Sequence, residues 1–250
     1  MKTPSCVSRY TLWTTWAAAT LYGGHMACAA EGWSLVNLNP PTASTSIALA
    51  VAAGQQGGVA SFPAGGSRAT LWANTSASYT VLYPSGESYV RDIDGVDKVG
   101  SAAVGNGQHA VLWLGSGGPP IDLHPGVATS SEAYGLSGEY QAGVVLGTAG
   151  DGLSAGYHAA LWRGTAASFV DLSPAGSVAS FAVALDASGQ AGNFTQSESV
   201  GEHAALWHGT ADSVVDLHPE GAYASQAQAI SNGRQGGYVQ FVRDGPSHAA

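Results

Sequence analysis

The chain has 250 residues, eight basic side chains against 17 acidic ones for a net charge of −9, and charged residues make up only 10% of it. With no Lys/Arg cluster anywhere, this acidity argues against nucleic-acid binding, and the low charge content argues against an acidic disordered tail. The length allows one large domain or two small ones.

In chain order, the first element is residues 1–30, which read as a secretory signal peptide. Lys2 and Arg9 supply the basic start, TLWTTWAAATLYGG the short apolar core, and MACAAEG the small-residue end, with cleavage expected after Ala29 or Ala30. The core is too short and too rich in threonine to span a bilayer as a stable helix, and no second apolar run approaches that length. Both cysteines, Cys6 and Cys28, fall inside this segment. His25-Met26-Ala27 is a poor lead-in for acylation of Cys28. The mature chain, 31–250, is therefore expected to be secreted to the exterior or the cell envelope, with no thiol, disulfide or cysteine metal ligand. Six basic residues then face 17 acidic ones, a net charge of −11. Roughly 220 residues suffice to hold a fold by its core alone.

Internal repeats dominate the mature chain. RATLW, HAVLW, HAALW and HAALW begin at Arg68, His109, His158 and His203, and HAA starts a further copy at His248. The tryptophans Trp72, Trp113, Trp162 and Trp207 are spaced by 41, 49 and 45 residues. After each comes a phrase ending in proline, at Pro84, Pro125, Pro174 and Pro219. An orphan copy, SLVNLNP, ends at Pro40. A third phrase places an aliphatic residue five positions before Gln or Lys and seven before Gly, in five copies with unchanged spacing: Val51-Gln56-Gly58, Ile93-Lys98-Gly100, Leu136-Gln141-Gly143, Leu185-Gln190-Gly192 and Ile230-Gln235-Gly237.

Each unit reads as four short strands; in the fourth these are SFAVALD, GQAGNFT, HAALWHG and SVVDLHP. Gly, Asp, Ser and Asn fill the first turn, as hairpins require. Alanine favours helix, but frequent glycine in segments this short keeps a helix from propagating. Four strands in 41–49 residues match a propeller blade. The expected fold is all-β, a single-domain five-bladed β-propeller of four-stranded antiparallel blades. Blades are expected at 45–84, 88–125, 130–174 and 178–219, with a fifth from about 222. The orphan strand Ser34–Pro40 would complete the fifth blade by pairing Leu35–Leu38 with Ser247–Ala250 and so close the ring. The alternative is an open arc or a fragment of a larger propeller.

The order A-x-A-[I/L], G-x-Q-x-G, HA-x-LW, DL resembles the HAF-repeat family of extracellular bacterial repeat proteins, through HAVLW, HAALW, HAALW and the partial HAA at 248–250. The likeness runs from about Trp33 to Ala250. Ala or Val stands where the family has its signature phenylalanine, and Arg68 stands where it has histidine. The resemblance implies export and a repeat architecture, with no reaction to carry over.

Candidate sites are read against the repeat. His109, His158 and His203 invite a metal ring, but third strands of separate blades are too far apart to share an ion about 2 Å from each ligand. Each has an aspartate three residues before its proline: Asp122, Asp171 and Asp216. Where Arg68 replaces the histidine, Val81 replaces the aspartate, so a structural His–Asp pair is expected. His124 and His218, equivalent to Tyr83 and Ser173, are expected at solvent-exposed strand ends. Asp92, Asp94 and Asp97 in DIDGVD look like calcium ligands but occupy the hairpin turn and lack the remaining EF-hand ligands. The loop Gly147–Gly156, with Asp151 as its lone acid, is the clearest break in the repeat. No nucleophile or phosphate-loop motif occurs. These residues point to a non-catalytic binding or adhesion module, a monomer without cofactor, metal or catalytic residues, whose partner is a glycan or protein. The alternatives are a secreted glycan-cleaving propeller hydrolase, whose paired carboxylates would stand about 5–10 Å apart, and an inactive fragment.

Overall fold

Short apolar segments separated by glycine-rich turns leave the backbone one way to satisfy its hydrogen bonds, which is lateral pairing of neighbouring segments. The computed structural model describes residues 34–250 except 84, 116, 149–151 and 198–200. The expected leader with Cys6 and Cys28, and Asp151 of the long loop, lie outside the described residues. Five antiparallel sheets form in chain order. The first comprises β1 (Thr45–Ala52), β2 (Gln55–Phe62), β3 (Gly66–Trp72) and β4 (Thr80–Val81). The second comprises β5 (Ser88–Asp94), β6 (Asp97–Val104), β7 (Gly107–Trp113) and β8 (Ile121–Asp122). The third comprises β9 (Ala128–Ser137), β10 (Tyr140–Gly147), β11 (Gly156–Trp162) and β12 (Val170–Asp171). The fourth comprises β13 (Ala179–Asp186), β14 (Gly189–Thr195), β15 (His203–Trp207) and β16 (Val215–Asp216). The fifth has β17 (Ala224–Ser231), β18 (Arg234–Gln240) and β19 (His248–Ala249).

The outer strands are shorter than the sequence pattern suggested. Only two residues of SVVDLHP pair as strand, because a single 3-10 turn, Ala211–Ser213, precedes them. After them the Asp216 carboxylate accepts the His218 N–H at 2.8 Å and turns the chain away.

The repeated glycine has a steric cause. Every first strand carries a bulge, at Ala48/Ala50, Val90/Asp92, Ala133/Gly135, Ala182/Ala184 and Ala227/Ala229. The bulge swings a carbonyl toward the second strand. A Cβ at Gly58, Gly100, Gly143, Gly192 or Gly237 would lie 1.8 to 2.0 Å from that oxygen, which belongs to Ile47, Tyr89, Glu132, Phe181 or Gln226. Only glycine fits there.

Sheets stack in sequence. β5 packs across β1, β2 and β3; β9 across β5, β6 and β7; β13 across β9, β10 and β11; and β17 across β13, β14 and β15. Trp113, Trp162 and Trp207 are buried in these successive seams, with Leu123 beside Trp162 and Leu172 beside Trp207. Among the described residues no such packing joins the fifth sheet to the first. Val51 of β1 is 72% exposed, whereas its equivalent Ile93 in β5 is 6% exposed because the first sheet covers it. Residues 34–40 form no strand and lie over β1, and β19 pairs with β18 alone. The expected pairing of Leu35–Leu38 with Ser247–Ala250 is not among the strand pairs of this structure.

Candidate functional site

The antiparallel register gives each sheet two ends. In the third, β10 starts at Tyr140, beside the β9 hairpin, and finishes at Gly147, which pairs with Gly156 at the start of β11. The two ends carry different kinds of residue.

At the Gly147 end the contacts repeat. His109, His158 and His203 meet Asp122, Asp171 and Asp216 through Nδ1, at 2.9, 2.9 and 2.8 Å. Each pair stays within one sheet and ties the third strand to the fourth, so the histidines form no shared ligand ring. Arg68 instead donates to the Ser67 carbonyl at 3.1 Å. A second contact joins the sheets and was missed from sequence. Ser88, Ser131, Ser180 and Ser225, all on first strands and fully buried, accept the backbone N–H of Ala69, Ala110, Ala159 and Ala204 in the preceding sheet, at 2.8 to 2.9 Å. A buried N–H without a partner is costly, so this serine bolts one sheet to the next. It stands five residues before the aliphatic residue of the repeat, with Ser46 in the first copy, and aligning that column would have revealed it.

His124 and His218 belong to this bolt, which corrects their reading as plain exposed strand ends. Their Nδ1 atoms lie 2.9 and 2.8 Å from Ser131 and Ser225 Oγ. Their rings stack on His109 and His203 with centroids 3.9 and 3.8 Å apart. Burial, and then the neighbouring His109, holds the His124 imidazole below its ordinary pKa of 6.5. At the same position Ser173 bonds Ser180 at 2.9 Å.

At the Tyr140 end the repeated glutamine caps the turn after the tryptophan. Gln56, Gln141 and Gln190 accept the N–H of Asn74, Gly164 and Gly209 at 2.9, 2.7 and 2.9 Å. In the second sheet Lys98 stands in the glutamine position, and its neighbour Asp97 accepts the Gly115 N–H at 2.7 Å. The calcium-like acids are similarly engaged. Asp92 accepts from Ile93 and Leu136 at 2.8 and 2.9 Å, and Asp94 from Gly138 at 2.7 Å. Burial pushes the Asp92 carboxyl up despite those two N–H groups. The three acids thus hold backbone rather than converge on one point. Among the described residues no group of three or more His, Cys, Asp or Glu could hold a metal. On the first strands Glu132 pairs with Arg91 at 3.1 Å, and Arg91 lies over the Tyr89 and Tyr134 rings.

Around this framework the remaining side chains differ from sheet to sheet and line two matching clefts. One, about 530 Å³, lies between the second and third sheets against Asp97, Leu112, Leu114, Glu139 and Arg163. The other, about 670 Å³, lies between the third and fourth against Glu139, Tyr140, Asp186, Ser188 and His208. Gln141 and Gln190 sit at equivalent places in their floors, and Arg163 and His208 at equivalent places in their walls. Glu139 and Arg163 form a two-pronged ion pair with both contacts at 2.8 Å. That contact holds the exposed Glu139 carboxyl below the usual carboxylate range. The Arg163 guanidinium lies 5.7 Å from the centre of the half-exposed Tyr140 ring.

Among the described residues no helix is long and apolar enough to cross a membrane. No protein-family model matches the chain, and a search of curated proteins finds no match.

Proposed function

We propose that this chain is an exported propeller-type module that binds glycans in the clefts between its sheets. The observation carrying this reading is the recurrence of the cleft at two successive sheet junctions, with a fixed glutamine floor and a wall that changes from Arg163 to His208. Repeated shallow sites suit a repetitive polymer, whose units each present hydroxyls to polar rims and an apolar face to an aromatic ring such as Tyr140. The resemblance to HAF-repeat proteins agrees with export. A glycan array with the purified chain tests the reading. Retention of one glycan class, abolished by Arg163→Ala, would support it; an array without signal would defeat it.

We also infer that residues 35–38 complete the fifth sheet and close the ring. The orphan segment already holds the turn of a fourth strand. The Asn39 N–H donates to the Asn37 side-chain oxygen at 2.9 Å, as those of His124, Ser173 and His218 do to their aspartates. Ala43 donates to the Pro40 carbonyl at 3.0 Å, as Ala222 does to Pro219 at 3.1 Å. A groove of about 560 Å³ runs between Leu35–Asn39 and Ser46, Ala48 and Trp72. At the fourth junction the corresponding place holds β15, where Ala204 donates to Ser225 and Leu217 donates to Ala204. Cysteines at Asn37 and His248, the counterparts of Asp216 and His203, should crosslink within one chain when Cys6 and Cys28 are replaced by Ser. A crosslinked dimer would instead place a second copy in the groove.

A further inference from the structure

We propose that the cleft between the third and fourth sheets selects a glycan with free amino groups, the ammonium of an amino sugar seating against Asp186, His208 and Tyr140. This rests on the reading of the clefts as glycan sites and adds the class of sugar.

The walls of the two clefts differ in charge at equivalent positions. In the third sheet Ser137 closes the first strand and Glu139 follows in the turn, where it neutralises Arg163 through both 2.8 Å contacts. In the fourth sheet Asp186 stands in place of Ser137, Ser188 in place of Glu139 and His208 in place of Arg163. The changes remove the cation and leave the Asp186 carboxylate unopposed. Among the described residues no ion pair involves Asp186, and no lysine or arginine lines this cleft.

The same wall presents acceptors. Asp186 Oδ1 accepts the Ser188 hydroxyl and, at 2.7 Å, the Ser188 N–H, while Oδ2 accepts the Gly233 N–H at 3.2 Å. The Ser188 hydroxyl, with these N–H groups behind it, holds the carboxyl below the usual carboxylate range, so it stays charged. With its proton spent on Asp186, the Ser188 oxygen offers a ligand only lone pairs. His208 Nδ1 lies 2.9 Å from the Ser188 carbonyl, which only accepts. Nδ1 therefore carries the proton, and in the neutral ring Nε2 keeps its lone pair. The half-exposed Tyr140 ring, braced by Arg163 from the neighbouring cleft at 5.7 Å, adds the electron-rich surface that attracts cations.

A ligand here must bring donors, and positive charge suits the carboxylate better than hydroxyls alone. The Gln190 oxygen accepts the Gly209 N–H, which leaves its NH2 to donate to a ring hydroxyl. A uronate or sulfate would meet Asp186 with no free guanidinium to pair with, on a chain of net charge −9.

Calorimetric titration of the full chain at pH 7 with β-1,4-linked hexamers of glucosamine, N-acetylglucosamine and glucose tests this. The three share a backbone and differ at C2, which carries an ammonium, an amide or a hydroxyl. The glucosamine hexamer should bind about fivefold tighter than either of the others. Asp186→Asn should bring the three within about twofold of one another. His208→Arg, which copies the wall of the neighbouring cleft, should do the same, and because His208 is exposed it keeps the test decisive should Asp186→Asn unfold. Equal or weaker binding of the glucosamine hexamer, or a preference that survives His208→Arg, would overturn the proposal and leave the clefts as glycan sites. Binding of none of the three would also overturn it, and the glycan array separately decides the glycan reading.

Discussion

The two ends of each sheet obey different rules. Where β10 and β11 meet at Gly147 and Gly156, the same contacts recur: an aspartate on a histidine, and a buried serine on the backbone of the preceding sheet. Where β9 turns into β10, the glutamine cap recurs beside a 3-10 turn whose Ser78, Ser168 and Ser213 accept the N–H of Ala73, Arg163 and His208 at 2.8, 2.7 and 2.8 Å, but the surrounding side chains run from Asp97 through Glu139 and Tyr140 to Ser188 and His208. The difference teaches where the fold is specified and where it is free. Stacked sheets must satisfy the N–H groups caught between them, so that end stays fixed. The other end, whose outer side chains change from sheet to sheet around local turn contacts, is open to variation and to ligands.

The sharpest way to break this division is to disturb the backbone between the two ends. Gly192→Ala would place a Cβ 1.9 Å from the Phe181 carbonyl oxygen. With backbone rather than a flexible side chain in the way, the expected loss is about 3 kcal/mol or more, read by denaturant unfolding. A loss below about 1 kcal/mol would mean that the bulge is not rigid. Next comes the bolt. Ser180→Ala leaves the Ala159 N–H buried and unpaired and should cost about 1–3 kcal/mol.

The His–Asp pairs should follow in order of burial. His158, 7% exposed in its side chain, should lose more stability than His203, 22% exposed, when each is changed to alanine. A double-mutant cycle of His203 with Asp216 should show coupling above about 0.5 kcal/mol; additive effects would show that the 2.8 Å contact contributes nothing. A smaller effect comes from pH. His124 is held below its ordinary pKa of 6.5, so the folded state binds its proton less readily than the unfolded chain does. Its contribution is therefore complete above 6.5 and is lost as pH falls through that value toward the lower folded pKa. His124→Gln should flatten the melting temperature between pH 7 and 5 relative to the parent chain.

Much of the architecture was legible because repetition exposes what packing demands. The spacing of Val51, Gln56 and Gly58, kept in five copies, marked the first hairpin of every sheet before its causes were visible. The joint loss at Arg68 and Val81 signalled the His–Asp contact. What escaped was of two kinds. The bolt serines are common residues in a serine-rich chain and stand out only when all copies are aligned. Ser154 precedes His158 by four residues as Ser199 precedes His203, but its approach to His158 depends on how Leu153 and Gly147 fold the loop, which spacing does not encode. The course of residues 34–40 was likewise beyond pattern, since the same turn forms beside β1 whether or not a third strand lies against it.

The most direct test pairs one variant from each end, Arg163→Ala and His203→Ala, and measures melting temperature and glycan affinity for both. If the ends divide stability from recognition, Arg163→Ala weakens binding about tenfold or more and leaves stability within about 0.5 kcal/mol, as for an exposed ion pair. His203→Ala then lowers the melting temperature and leaves affinity unchanged. Loss of stability in Arg163→Ala without loss of binding, or loss of binding in His203→Ala at temperatures where it is folded, would contradict the division.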